Sequence, residues 1–231
     1  MGRGPAGHRE GVTDPGVLFD VDGTLLDTNY LQVLSWAQAF RDTGHDGVSM
    51  SALHRAIGIG SEELVQRLTG GEDQRTVDAK SERYEPLREQ VVAFPRAADL
   101  LRACADRGLR VVLATSGKPE DLEWMLPAIG VEDGVLAGST TSADVEAAKP
   151  RPDLLEVAAR DNGLDPQRTV VVGDTVWDVE AARRAGMPCI ALLCGGIGRG
   201  ELVEAGADAV YDDPAALLDD LERSPIGSLT G

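Results

Sequence analysis

The sequence predicts an α/β protein: a Rossmann-like parallel-sheet core, with a helical segment inserted after the first strand. Two observations carry that prediction. Short, nearly continuous β-branched runs recur along most of the chain with amphipathic stretches between them, as in parallel sheets covered on both faces. Residues 29 to about 92 break this rhythm, showing helical spacing of Leu, Val, Ala, Trp and Arg but no strand-like run.

In chain order, the strand-like runs are 16–22 (GVLFDVD), 109–116 (LRVVLATS), 134–139 (GVLAGS), 168–174 (RTVVVGD), 188–194 (PCIALLC) and 207–213 (ADAVYDD). The amphipathic stretches 97–108, 152–163 and 176–186 each close on Gly, the usual residue just past a helix end. Within the insert the expected helices are 29–44, 49–58, 61–70 and a charged helix over 73–91, separated by Gly44, Gly58, Gly60, Gly70 and Gly71. Pro95 marks the return to the core. Residues 1–15, rich in Gly, Pro and charge, are expected to form a disordered tail. The expected organisation is therefore a tail (1–15), a core (16–28 with 93–231) and a helical insert (29–92).

The chain has 231 residues, with 22 Lys and Arg against 39 Asp and Glu, for a formal charge of −17. A surface this acidic repels phosphate backbones and anionic headgroups, which argues against nucleic acid and membranes as partners. No apolar run approaches the roughly 18 residues of a spanning helix, and the N-terminus shows no apolar export region, so a cytoplasmic location is expected. The odd set Cys104, Cys189 and Cys194 lies in apolar surroundings and reads as free thiols.

Chemistry concentrates at the ends of the strand-like runs. Asp20 and Asp22, two apart before Gly23, are expected on one side of the first strand's C-terminal end, the edge where open α/β sheets bind ligands. Two carboxylates so close call for a cation or a shared proton, unless they only serve a strand-end turn. Asp174 and Asp178 flank the start of a helix, where anions are favoured. Capping by Asp174, with Asp178 a first-turn charge, is the simpler account of that pair alone. Four carboxylates at strand ends of one sheet make an oxygen-rich site of the kind that suits Mg²⁺. Thr115, Ser116 and Gly117 form a turn with donors for a phosphate, or an ordinary helix cap. Lys149, one of only three lysines with Lys80 and Lys118, is held before a Pro-x-Pro stretch.

Taken in order, D-x-D-G-T at 20–24, Thr-Ser at 115–116, K-P-x-P-D at 149–153 and G-D-x-x-x-D at 173–178 resemble the haloacid dehalogenase-like superfamily. The resemblance spans about residues 16–222, in a branch holding phosphoglycolate phosphatases and β-phosphoglucomutases, with the insert where that branch carries its cap. It implies a Mg²⁺-dependent phosphatase acting on a small phosphorylated metabolite, as a monomer or homodimer. Asp20 would be the nucleophile that becomes an aspartyl-phosphate, and Asp22 the general acid and base. Thr115 and Lys149 would stabilise the phosphoryl group, with Ser116 and Gly117 beside it. Asp20, the Asp22 carbonyl and Asp174 would hold the metal, supported by Asp178. An aspartate at position 22 favours phosphate esters over carbon–halogen bonds.

A hexose-phosphate mutase is the competing activity on the same core. Mutases of the branch carry a His where Gln32 stands, and the loop from Ile57 to Ser61 offers no cation for a second phosphate. Arg55 is the nearest one in sequence. A non-catalytic binding or regulatory role is opposed by the intact motifs. In the insert, Trp36, Phe40, Leu64, Val65 and Leu68 are expected to be core, and His54 a surface or packing residue. Asn29, Tyr30 and Gln32 are expected to line the cleft, with the loop from Gly58 to Ser61 above it. The turn Cys194-Gly195-Gly196 is a candidate floor.

Overall fold

The computed structural model describes residues 13–145 and 149–230. The core is one six-stranded sheet of β1 (Asp14–Phe19), β2 (Arg110–Ala114), β3 (Leu136–Thr140), β4 (Leu164–Gly173), β5 (Cys189–Leu192) and β6 (Ala209–Tyr211). Its order is β3-β2-β1-β4-β5-β6, and every pairing is parallel. The order reverses beside β1, so the loops after β1 and its neighbours β2 and β4 open onto one crevice at the C-terminal edge.

Alternation along the strands divides the core in two. Val17 and Phe19 of β1 and Val170 and Val172 of β4 join one buried cluster with Leu100, Leu101 and Cys104 of α5 (Ala97–Asp106). Leu18 and Val171 face the other side, where they meet Leu154 and Ala158 of α7 (Asp153–Asp161) and Val179 and Ala182 of α8 (Val176–Ala185). Both faces are thus covered, which explains why the strands read as unbroken apolar runs. The remaining core helices are α6 (Leu122–Ile129), α9 (Arg199–Ala205) and α10 (Pro214–Asp219).

Between β1 and α5 the chain forms α1 (Asn29–Asp42), α2 (Met50–Ala56), α3 (Ser61–Thr69) and α4 (Gln74–Tyr84). Their apolar faces meet in a third cluster of Val33, Trp36, Phe40, Leu53, Leu64, Val65 and Val77, with Leu68 partly buried against it.

Several boundaries differ from expectation, and three of them have a clear physical cause. Residues 1–12 of the expected tail lie outside the described residues, but Asp14 and Pro15 belong to β1, because the Asp14 amide bonds the Gly163 carbonyl at 2.9 Å and extends the ladder beyond the apolar run. The helix expected over 73–91 ends at Tyr84 and continues as a 3₁₀ turn, Glu85–Gln90, since Pro86 lacks the amide that an α-helix requires. The first strand stops at Phe19, not at residue 22. The Asp20 amide makes a last bond to Val172 O at 2.9 Å, and the chain then folds into a turn in which Gly23, at φ +79°, donates to Leu26 O.

The sheet's contribution to stability is testable at Leu113, fully buried in β2. Leu113→Ala should cost about 2–5 kcal/mol by lost burial and cavity formation. Urea unfolding should show a lower midpoint at an unchanged slope.

Candidate active site

Each element that ends at the crevice delivers one polar group. Asp20 follows β1, Thr115 follows β2 and Asp174 follows β4, all three buried. Carboxylate oxygens of Asp20, Asp174 and Asp178 lie within 4.8 Å of one another. Into this cluster comes Lys149, 1 % exposed, whose ammonium lies 2.5 Å from Asp20 Oδ1 and 2.7 Å from Asp178 Oδ1.

Asp174 does not cap α8. The cap is Thr175, whose side chain accepts from the Asp178 amide, while Asp178 Oδ2 accepts from the Thr175 amide at 3.1 Å and hydroxyl at 2.5 Å. Asp178 is therefore committed at both oxygens, and Asp174 is left to the crevice. Its oxygens accept from Thr24 Oγ1 at 3.2 Å and Asn29 Nδ2 at 2.8 Å. A Cβ at Gly195 would stand 1.8 Å from Asp174 Oδ2, so that glycine is required by the close approach of the carboxylate.

The chain turns after Asp20, so Asp22 does not follow it on a strand, and its carboxylate lies outside the cluster of Asp20, Asp174 and Asp178. Asp20 and Asp22 nevertheless both line one cavity between the sheet edge and the helical insert, and Asp22 Oδ1 is buried with no hydrogen-bond partner among the described residues. Ser116 and Gly117 line the same cavity, and the Ser116 hydroxyl donates to Gly58 O at 3.1 Å. Thr115 Oγ1 accepts from the Gly117 amide at 3.0 Å, closing the turn after β2.

The expected cleft residues divide. Gln32, Gly58, Ile59 and Ser61 line the cavity. Asn29 does not, because its amide is spent on Asp174 and on Gly195 O at 3.0 Å. Tyr30 is 60 % exposed and stacks on His54, whose Nε2 bonds Gly195 O at 3.0 Å. Arg55 turns away to pair with Glu201 of α9. The sulfur of Cys194 lies 3.3 Å from Gly23 O.

Sequence reasoning missed several participants. Thr24 stands within D-x-D-G-T, and the Thr175/Asp178 capping box was legible as a Thr followed three residues later by an acid. Trp177, inside G-D-x-x-x-D, donates to Arg55 O at 3.0 Å and carries the Arg67 guanidinium 4.8 Å above its ring, joining insert to core. The loop from Ile57 to Ser61 does lack a cation, but Lys80, Arg88 and Lys118 line the cavity from elsewhere.

Known proteins match this arrangement. The sequence model described as haloacid dehalogenase-like hydrolase matches residues 15–186. The chain belongs to that family. A phosphoglycolate phosphatase of Pseudomonas putida is 29 % identical over 216 residues, covering 87 % of this chain and 78 % of that protein. A probable phosphatase of Dickeya dadantii, IndB, is 31 % identical over 193 residues, covering 78 % and 82 %. The crystal structure of a hydrolase from Pseudomonas syringae superimposes with a TM-score of 0.85 at 33 % identity, covering 91 % of this chain and 99 % of that one.

In this hydrolase the electrostatics favour a cation. Burial pushes the Asp20 carboxyl up to about 7, against the pull of Lys149 and with repulsion from Asp178 and Asp22. Burial, Asp178 and Asp20 together raise Asp174 well above the carboxylate range, although Asn29 and Lys149 oppose them. Burial alone would lower the pKa of Lys149, but Asp178 and Asp20 outweigh it and keep the ammonium charged. One lysine thus faces three carboxylates, and the donors of the surplus are all oxygen, the set that suits Mg²⁺. Burial also raises Asp22, offset by Thr28, the Lys80 charge and Gln32.

The sign of the pH effect follows. Unfolded, Asp20 loses its proton near 3.8; folded and metal-free, it keeps it to about 7. The folded state binds more protons in this window, so this group's contribution to stability falls as pH rises from about 4 to about 7. The melting temperature of metal-free protein should decline over that range, and a millimolar divalent cation should restore it at neutral pH. Asp174→Asn should blunt that restoration, as read by scanning fluorimetry.

Proposed function

We propose that the protein is a Mg²⁺-dependent phosphatase that hydrolyses a small phosphomonoester through an aspartyl-phosphate on Asp20. The observation that carries this reading is the pairing of Asp20, fixed by Lys149 at 2.5 Å, with a second acid, Asp22, that lines the cavity and keeps one oxygen unpartnered. The names of the relatives in Pseudomonas putida and Dickeya dadantii support it.

Asp20, Asp174 and the main-chain carbonyl of Asp22 would hold the ion. Bound there, Mg²⁺ supplies neutralisation of the phosphoryl oxygens and of the acid surplus. The chain's own groups carry the rest. Asp20 attacks phosphorus as the bond to the alcohol oxygen breaks, and Asp22 gives that oxygen a proton. Asp22 then takes a proton from water, whose oxygen attacks phosphorus and frees Asp20. The raised pKa of Asp22 suits the first task, since a carboxyl with an ordinary pKa holds almost no proton at neutral pH. Lys149 balances charge on Asp20 and the phosphoryl group, and is oriented by Asp178. Thr115, Ser116 and Gly117 offer donors to the remaining phosphate oxygens. The substrate enters the cavity between Asp22 and the helical insert, which acts as a cap, and the protein works as a monomer or homodimer in the cytoplasm.

A mutase reading is favoured by one observation: Lys80 and Lys118 give the cavity cations that could receive a second phosphate. It differs in outcome, because a mutase returns an isomeric sugar phosphate and needs a bisphosphate activator, whereas a phosphatase releases inorganic phosphate.

The test is phosphate release from an aryl phosphate with and without Mg²⁺. Wild type should be active with the metal and silent in EDTA, and Asp20→Asn should fall to background. Asp22→Asn should lose about 10²–10⁴-fold, the usual weight of a general acid and base. Full activity in EDTA or in Asp20→Asn would refute the mechanism.

A further inference from the structure

Two residues that the reaction leaves aside, Asn29 and His54, meet at one carbonyl. Asn29 opens α1 but does not serve the helix: both protons of its amide leave it, one for Asp174 Oδ2 at 2.8 Å and one for Gly195 O at 3.0 Å. Gly195 O also lies 3.0 Å from His54 Nε2. A carbonyl only accepts, so that ring nitrogen carries a proton. The turn 194–196 is thus held by the first residue of the helical insert and by α2 within it. The approach is close, since a Cβ at Gly196, which has φ +96°, would stand 2.6 Å from the Tyr30 hydroxyl and 2.8 Å from His54 Nε2. Tyr30 stacks on the His54 ring with centroids 5.2 Å apart and an interplanar angle of 14°.

These contacts lead to the candidate metal ligand. The last torsion of an aspartate is soft, so its partners set the plane of the carboxylate. Asp174 has a donor on each oxygen, Thr24 on Oδ1 and Asn29 on Oδ2. Mg²⁺ tolerates little departure from octahedral geometry, so a ligand oriented beforehand holds it more tightly than one that must be ordered on binding. Asn29 Oδ1 is buried with no donor among the described residues, although buried polar groups are normally bonded. That oxygen shares its amide carbon with Nδ2 and so sits beside the same carboxylate, where water carried by Mg²⁺ would supply a donor. We infer that Asn29 is a positioning residue for Asp174, and that His54 steadies the carbonyl Asn29 leans on, so that the cation affinity of the site depends on the helical insert being seated on the turn 194–196. This rests on the metal-dependent reading above and adds to it a link between insert and ion.

The link is reciprocal by thermodynamic necessity. Whatever the His54 bond contributes to cation binding, a bound cation contributes equally to the His54 bond, and hence to the seating of the insert. His54 is only partly buried and stands outside the cluster of Asp20, Asp174 and Asp178, so removing its donor leaves all three carboxylates in place. A purely structural role for the two residues predicts a different outcome. Loss of either side chain would then lower the melting temperature of metal-free protein and leave the cation affinity where it was.

Binding is read directly, by calorimetric titration of metal-free protein with Mg²⁺ and with Mn²⁺ in the absence of substrate. Asn29→Ala should weaken the dissociation constant about 10–100-fold, the usual weight of a group that supports a metal ligand. His54→Phe keeps a ring on Tyr30 but removes the donor, and should weaken it about 2–10-fold, as for a neutral hydrogen bond. His54→Gln restores a donor and should recover most of that loss. On the side of the insert, the cation should slow hydrogen exchange of the α2 amides in wild type and change it little in His54→Phe. Should Asn29→Ala not fold, the two His54 variants carry the comparison. Wild-type affinity in Asn29→Ala would overturn the positioning role. Wild-type affinity in His54→Phe, or equal losses in His54→Phe and His54→Gln, would assign His54 to packing and overturn the link to the insert. No cation uptake by wild type would contradict the metal-dependent reading itself, and the inference with it.

Discussion

Three carboxylates, Asp20, Asp174 and Asp178, are buried together against a single ammonium, and the crevice is built around that imbalance. In a low-dielectric interior such a surplus is unfavourable without a cation or bound protons. Every neighbouring feature manages it. Lys149 is held between two of the acids, Asn29 and Thr24 donate to the third, and Thr175 fixes Asp178. Even Gly195 and Gly23 are dictated by it, since a side chain at either would collide with Asp174 Oδ2.

The sheet makes this concentration of charge affordable. Parallel strands β2, β1 and β4 lie side by side, so the residues following each of them are brought within reach of one another without any loop having to span the molecule. Both faces beneath them are packed with apolar side chains, and the buried strands supply a rigid base. Stability invested in the sheet thus offsets the cost of a charged site at its edge.

The helical segment closes the crevice from above through few but specific contacts. Ser116 reaches Gly58, His54 reaches Gly195, and Trp177 reaches Arg55. Most are single hydrogen bonds to main-chain carbonyls, with a solvent-exposed ion pair between Arg55 and Glu201. Contacts of this size are individually worth about 1 kcal/mol, an arrangement compatible with opening to admit a ligand. The apolar cluster inside the segment, centred on Trp36, Phe40 and Leu53, binds its helices to one another, with Trp177 of α8 packed against it.

The sequence alone determined the alternation of strands and helices, the helical character of residues 29–92 and the grouping of Asp20, Thr115, Lys149 and Asp174. These follow from local rules: apolar periodicity reports which faces are covered, and chemistry at strand ends needs only the order of elements. What the tertiary structure decided is which oxygen faces what. Asp22 shares a cavity with Asp20 but stays out of the three-carboxylate cluster, because the chain turns after Asp20, a matter of backbone dihedrals that an alternation rule does not contain. Asn29 left the cleft for Asp174, and Arg55, the cation nearest the loop at 57–61, pairs with Glu201, because partners 145 and 146 residues away compete for them. The cations missing from the loop at 57–61 arrive from α4 and from the turn after β2, since a cavity draws its walls from segments distant in sequence. Burial, and with it the raised carboxyls of Asp20 and Asp174, is likewise a property of the packed interior, where the low dielectric that shifts a charge exists only once the chain has folded.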